Sequence, residues 1–140
     1  MGLYIERMGG DDIKWHYGAL HFMRYAACRT CGYEGSHEDF TNAERDGVDG
    51  VRLWDLYPDF RQLLHFSDCE GIFVPDGYAD GFEDSFHIGS FHRLTDEVNE
   101  LYKRMKKNPD YNYDESMQYV TDLRDLIINE DEGQWILIFG

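Results

Sequence analysis

The sequence predicts a single α+β domain in which three to four helices pack on a small, mainly antiparallel sheet that pairs the N- and C-terminal strands. Three observations support this prediction. The chain has 140 residues, of which 42% are hydrophobic and 16% aromatic, enough for one core. Apolar residues recur at helical spacing in several segments. Both ends of the chain have the composition of strands. We expect residues 1–140 to form one domain.

The N-terminal half is predicted to hold a strand, a helix and a long loop. Residues 3–8 alternate and stop at a glycine pair, which is typical of a short strand and a turn. Residues 16–31 have apolar side chains at helical spacing, and Gly32 is placed as a left-handed C-terminal cap. Residues 33–52 are rich in Gly, Asp and Asn and predict a loop, with one helical turn near 40–45.

The C-terminal half is predicted to alternate between helices and irregular or extended segments. Pro58 suits a first helical turn because its missing N–H would have no partner there. The basic run 103–107 before Asn108-Pro109 suits the negative end of a helix dipole. The predicted elements are a short helix over 58–66, an irregular stretch over 67–89 with a strand at 71–75, a helix from Ser90 or Thr95 to 107, a helix over 114–129, and a strand over 134–139.

The charge balance excludes some classes of partner. Asp and Glu number 28 against 13 Lys and Arg, which gives a formal net charge of −15. Such a field repels nucleic acid and anionic membranes and attracts basic proteins. Three cysteines are too few and too oddly numbered for a disulfide framework, and the N-terminus lacks the pattern of a signal peptide. We therefore expect a cytoplasmic protein that binds neither nucleic acid nor membrane directly.

The acids concentrate in two predicted loops, 34–49 and 76–84. Carboxylates spaced along a surface imitate the phosphates of a duplex, and aromatic side chains between them add contact area. The alternative is a solvated acidic loop around aromatic residues that belong to the core. The candidate partner-binding residues are Asp76, Tyr78, Asp80, Phe82, Glu83 and Asp84, with Glu38, Asp39 and Glu44.

These loops favour an acidic binding or inhibitory protein that acts on a basic partner, with a nucleic-acid-binding enzyme as the concrete example. A nucleic-acid mimic of the phage anti-defence type is one form of this hypothesis. Catalysis is less favoured because the chain has no Gly-x-Ser-x-Gly elbow and no phosphate-binding Gly-rich loop. A small hydrolase built around His87 and His92 is a further alternative.

A zinc-binding structural or regulatory domain is the main alternative function. Cys28 and Cys31 have the two-residue spacing of a zinc knuckle, and His65 and Cys69 would complete four ligands. The competing interpretation is that the two thiols at the end of an amphipathic helix pack as small apolar groups. Apart from this zinc ion, the sequence predicts no cofactor.

The string His65-Phe66-Ser67-Asp68-Cys69-Glu70-Gly71 resembles the His-Ser-Asp-Cys-Asp-Gly signature of a family of small uncharacterised bacterial and phage proteins. The resemblance covers residues 60–75, with looser similarity over 16–31. The chain departs from the signature by inserting Phe66 and by having Glu70 in place of the second Asp. The resemblance implies a shared fold, and no activity comes with it.

Overall fold

The computed structural model describes residues 2–7, 12–65, 70–74, 87–128 and 136–139. Within these ranges the helices are Tyr17–Thr30 (α1), His37–Asp46 (α2), Leu53–Leu56 (α3), Arg61–His65 (α4), Phe91–Lys107 (α5) and Ser116–Ile128 (α6). Short 3₁₀ turns lie at Pro58–Phe60, Pro109–Tyr111 and Tyr113–Glu115. The strands are Gly2–Arg7 (β1), Asp12–His16 (β2), Glu70–Val74 (β3), His87–Ser90 (β4) and Ile136–Phe139 (β5).

The five strands pair through their backbones in the order β2-β1-β5-β3-β4. β1 and β5 are antiparallel, so the predicted pairing of the two ends of the chain is confirmed. β3 is antiparallel to β5 and parallel to β4, in register from Gly71 opposite His87. Strands β2 and β4 are absent from the sequence prediction, which placed a turn and an irregular stretch there.

The predicted α+β fold class is nevertheless wrong, because the described part of the chain is mainly helical. Every side chain that the structure shows as buried belongs to an α-helix or a 3₁₀ turn. An amphipathic helix must cover its apolar stripe with another element, and here helices cover one another. The prediction counted three to four helices, whereas the described ranges contain six.

The three longest predicted helices are confirmed as α1, α5 and α6. α5 begins after Ser90, whose hydroxyl accepts a hydrogen bond from the N–H of Arg93. α1 ends before Gly32, which has a φ of 103° as expected of a left-handed cap. α5 packs along α6, and α1 packs against both. The buried stripes of these helices include Ala19, Met23, Ala27, Leu94, Val98, Leu101, Met105, Val120 and Leu123.

The predicted loop over 33–52 is wrong for most of its length, since residues 37–46 form α2. The Ser36 hydroxyl accepts from the N–H of Asp39, and the Asp39 carboxylate accepts from the N–H of Ser36. This capping box satisfies two backbone donors that a free helix end would leave unpaired. Phe40 and Ala43 are buried three residues apart, and Gly47 ends the helix with a φ of 80°. The turn residues of this segment therefore cap a helix.

Aromatic contacts fix α2 against α1. The ring of Phe40 is fully buried, with its centroid 5.4 Å from that of Tyr25 and 5.6 Å from that of His21. The Tyr25 hydroxyl donates to the carbonyl of Gly35 at 2.9 Å, just before α2 begins. Tilted ring pairs at these distances add stabilisation beyond the area that they bury. The direction in which α2 presents its polar side chains is thereby set.

Ser36→Ala is expected to destabilise the protein by about 1 kcal/mol, because the N–H of Asp39 loses its cap. Thr41→Ala is the matched control, since the Thr41 hydroxyl donates to a carbonyl inside the same helix and its removal should change stability by less than about 0.5 kcal/mol. Urea unfolding of both variants measures the difference. Equal stabilities would contradict the capping role.

Candidate functional site

The acidic segment predicted at 34–49 has two kinds of carboxylate once it is folded. Some are exposed on α2 and its flanks: Glu34, Glu38, Asp46 and Asp49. Glu44 instead turns inward. Its Oε1 lies 2.6 Å from His21 Nδ1 and its Oε2 lies 3.3 Å from Arg24 Nη1, and 19% of its side chain is exposed.

The predicted partner-binding residues of this segment therefore differ in their surroundings. Glu38 and Asp39 are exposed in the first turn of α2, where negative charge is favoured by the helix dipole. Asp39 also closes the capping box. Glu44 already has two partners inside the protein. Of the three, Glu38 has the side chain best placed for a partner protein.

A two-residue turn presents Asp49 at the end of the acidic segment. Val48 and Val51 exchange two backbone hydrogen bonds of 2.9 Å each. Asp49 and Gly50 between them have φ values of 52° and 80°, the pattern of a type I′ turn, which favours Asp-Gly. Val51 is 41% exposed, so an apolar side chain adjoins the carboxylate.

The other predicted partner-binding residues, Asp76, Tyr78, Asp80, Phe82, Glu83 and Asp84, lie outside the described residues. Cys69 and most of the string that resembles the bacterial and phage family also lie there. For His65 the structure describes the backbone, at the end of α4.

The two cysteines that the structure describes are not joined in a disulfide. Cys28 is fully buried, and burial raises the pKa of its thiol, so the neutral form is favoured. Burial also raises the pKa of Cys31, although Arg104 Nη1 lies 3.4 Å from its sulfur. Among the described residues no three His, Cys, Asp or Glu side chains form a group that could hold a metal. The zinc hypothesis stays a prediction, because it also needs His65 and Cys69.

A buried polar network links four helices, and the sequence patterns did not predict it. Arg24 is 5% exposed; its Nε donates to the carbonyl of Leu63 at 3.1 Å, and its Nη1 pairs with Glu44. Glu97, which is 8% exposed, accepts from the N–H groups of Gln62 and Leu63, each at 2.9 Å. The sequence did contain a signal for this network, namely one charged residue within the apolar stripe of α1 and one within that of α5. A charged residue is uncommon at such a buried position unless its charge is paired.

Glu97 caps α4 from a different helix. Gln62 and Leu63 lie in the first turn of α4, where backbone N–H groups have no partner within the helix. Burial raises the pKa of Glu97 from 4.5 to about 7, and the two backbone N–H groups, which favour the carboxylate, only partly oppose this shift. The carboxyl group is therefore poised to titrate near neutral pH.

No protein-family model, curated protein or solved structure is significantly similar to this chain. The resemblance to small bacterial and phage proteins thus stays an expectation. Within the described ranges, no helix combines the length and the apolar character that crossing a membrane requires.

Glu97 is expected to make stability depend on pH. Because its folded-state pKa is raised, the folded protein holds the proton more tightly than the unfolded chain between pH 4.5 and about 7. This contribution to stability is complete below pH 4.5 and is lost as the pH rises through about 7. Urea unfolding from about pH 4.5 to about pH 8 should show this loss in the wild type and not in Glu97→Gln.

Glu100→Gln is the control for that measurement. Glu100 lies on the same helix, but its side chain is 46% exposed and pairs with Arg104. This variant should keep the pH dependence of the wild type. The same dependence in Glu97→Gln would contradict the assignment to Glu97.

Arg24→Met is expected to cost about 3 kcal/mol of unfolding free energy, because it leaves the Leu63 carbonyl and the Glu44 carboxylate without their buried donor. Arg61→Met is the matched control, since Arg61 forms an exposed pair with Asp55 whose loss should cost less than about 1 kcal/mol. Chemical denaturation compares the two variants. Similar losses would show that the Arg24 network is not specially stabilising.

Proposed function

We infer that the protein is a binding or inhibitory protein that presents an acidic surface to a basic partner protein. The supporting observation is the exposure of Glu34 and Glu38, neither of which has an ion-pair partner among the described residues. With Asp49 and with Asp46, whose carboxylate already pairs with the exposed Arg45 at 3.3 Å, they form an acidic face, the name used below for these four residues. Carboxylates without an internal counter-ion are free to pair with Lys or Arg of another protein.

The rigidity of helix α2 supports the proposal. Glu38 and Asp46 lie at opposite ends of the capped helix α2, about 12 Å apart along its axis at 1.5 Å per residue. Phe40 and Glu44, on the inner side of the same helix, are held by aromatic and ionic contacts. Because the helix that carries Glu38 and Asp46 is already ordered, less backbone conformational entropy is lost when a partner binds them.

The partner that fits this face is a protein with a groove lined by Lys and Arg. A nucleic-acid-binding enzyme has such a groove, and carboxylates at a fixed spacing along a rod would occupy it in place of phosphates. The acidic stretch 76–84, which lies outside the described residues, is proposed to contribute further carboxylates to partner binding. The net charge of −15 would add long-range attraction and speed association at low salt.

Charge reversal tests this proposal. The basic partner is first recovered from native-host lysate and purified. The double variant Glu34→Lys/Glu38→Lys is expected to weaken binding to this partner by about tenfold or more at low salt. It should also reduce the salt dependence of binding. The control Asp96→Lys/Asp110→Lys changes two exposed carboxylates on other elements, α5 and the 3₁₀ turn Pro109–Tyr111, with an identical change in net charge. Surface plasmon resonance at two salt concentrations compares them.

Equal weakening by both doubles would show that only net charge matters and would remove the acidic face as a specific site. Duplex DNA added as a competitor tests the nucleic-acid mimicry. Displacement of the protein by DNA supports a shared groove, whereas a ternary complex contradicts it.

A further inference from the structure

A cleft between α5 and α6 concentrates positive charge in this acidic chain. It has a volume of about 480 Å³ and is lined by Asn99, Tyr102, Lys103, Lys106, Lys107 and Arg124. The chain has four lysines in all, and three of them line this cleft. None of the described residues that line it is acidic. The cleft is therefore basic in a protein whose net charge is −15.

Helix stability alone does not explain this grouping. Cations near the end of α5 are favoured by its dipole, but that effect is limited to the last turn and amounts to about 0.3–1 kcal/mol each. Lys103 and Lys107 lie four residues apart on one face, where like charges repel. Arg124 comes from a different helix, α6. Two elements thus direct cations to one place at an electrostatic cost.

Tyr102 holds two of these cations. The guanidinium carbon of Arg124 lies 4.4 Å from the centroid of the Tyr102 ring, and Lys106 Nζ lies 5.6 Å from it. Cation–π attraction favours both contacts. Arg124 Nε also donates to Asn99 Oδ1 at 3.0 Å, so its orientation is fixed from a second side. Two cations at one ring repel each other, and an anion bound by both would offset that repulsion.

The lysines of the cleft are available for a ligand. Within the described part of the chain, none of Lys103, Lys106 and Lys107 forms an ion pair with a carboxylate. By contrast, Arg104 on the same helix pairs with both Asp59 and Glu100. The unpaired cations thus face the cleft, while a neighbouring cation is neutralised elsewhere.

We propose that this cleft binds a phosphorylated small molecule. Each ammonium group brings three N–H donors, and the guanidinium brings four besides the one that it gives to Asn99. These donors outnumber what the two oxygens of one carboxylate accept, and their charge suits a phosphate that carries up to two charges. The volume lies within the range of small-molecule sites, about 300–1,000 Å³, so there is room for an organic group beside the phosphate. Duplex nucleic acid is disfavoured because the rest of the chain repels it.

Calorimetric titration with inorganic pyrophosphate and with adenosine monophosphate tests the proposal at low ionic strength. Lys103→Gln/Lys107→Gln should weaken pyrophosphate binding by at least about tenfold, because each substitution removes a charged donor. The matched control is Arg45→Gln/Arg61→Gln, which removes two exposed cations far from the cleft in sequence and should change binding by less than about twofold.

Inorganic phosphate is titrated as well, and tighter binding of adenosine monophosphate than of inorganic phosphate would show that the cleft also takes an organic group. Citrate is a control ligand that carries several negative charges but no phosphate. If citrate binds as tightly as pyrophosphate, the proposal that the cleft selects phosphate is overturned. No pyrophosphate binding at millimolar concentration, or equal weakening by the two double variants, would overturn the site itself.

Discussion

The buried guanidinium of Arg24 holds three helices in one arrangement. From α1 it donates to the carbonyl of Leu63 in α4 and pairs with Glu44 of α2. The N–H of the same Leu63 donates to Glu97 of α5, so the backbone N–H and the backbone C=O of one residue are both bound by buried charged side chains. α4 is only five residues long, too short to be stable alone, and it depends on these contacts. A buried charge that loses its partner is costly, which makes the arrangement strongly specified.

This network also decides which acidic residues remain for other roles. Glu44 is committed to Arg24 and His21, and Asp39 closes the cap of α2, whereas Glu38 stays exposed. The buried side of α2 fixes the helix while its outer side displays carboxylates. The acidic face that we propose for a basic partner is therefore built on a rigid element whose stability comes from other residues.

Negative and positive side chains are grouped at different places in this molecule. A basic cleft lies between α5 and α6 although the net charge of the chain is −15. Screening at physiological ionic strength acts over about 8 Å, so the charges nearest to a ligand dominate its binding. An acidic face for a protein and a basic cleft for a small anion are thus compatible within one chain. Tyr102 and Asn99 maintain the cleft by orienting Arg124.

The sequence by itself determined α1, α5 and α6, because their apolar residues recur with the helical period. It also determined the pairing of the terminal strands, since the two ends of the chain need partners for their backbone groups. The loop prediction for residues 33–52 was wrong, because the Ser, Asp and Gly residues that indicate a loop also cap a helix. Only the tertiary structure decided that α1, α5 and α6 pack on one another, that Glu97 caps α4 and that Arg124 lines one cleft with the lysines of α5. The contacts of Glu97 and of Arg124 join residues at least 22 positions apart, and periodicity reports only on neighbours within a few turns.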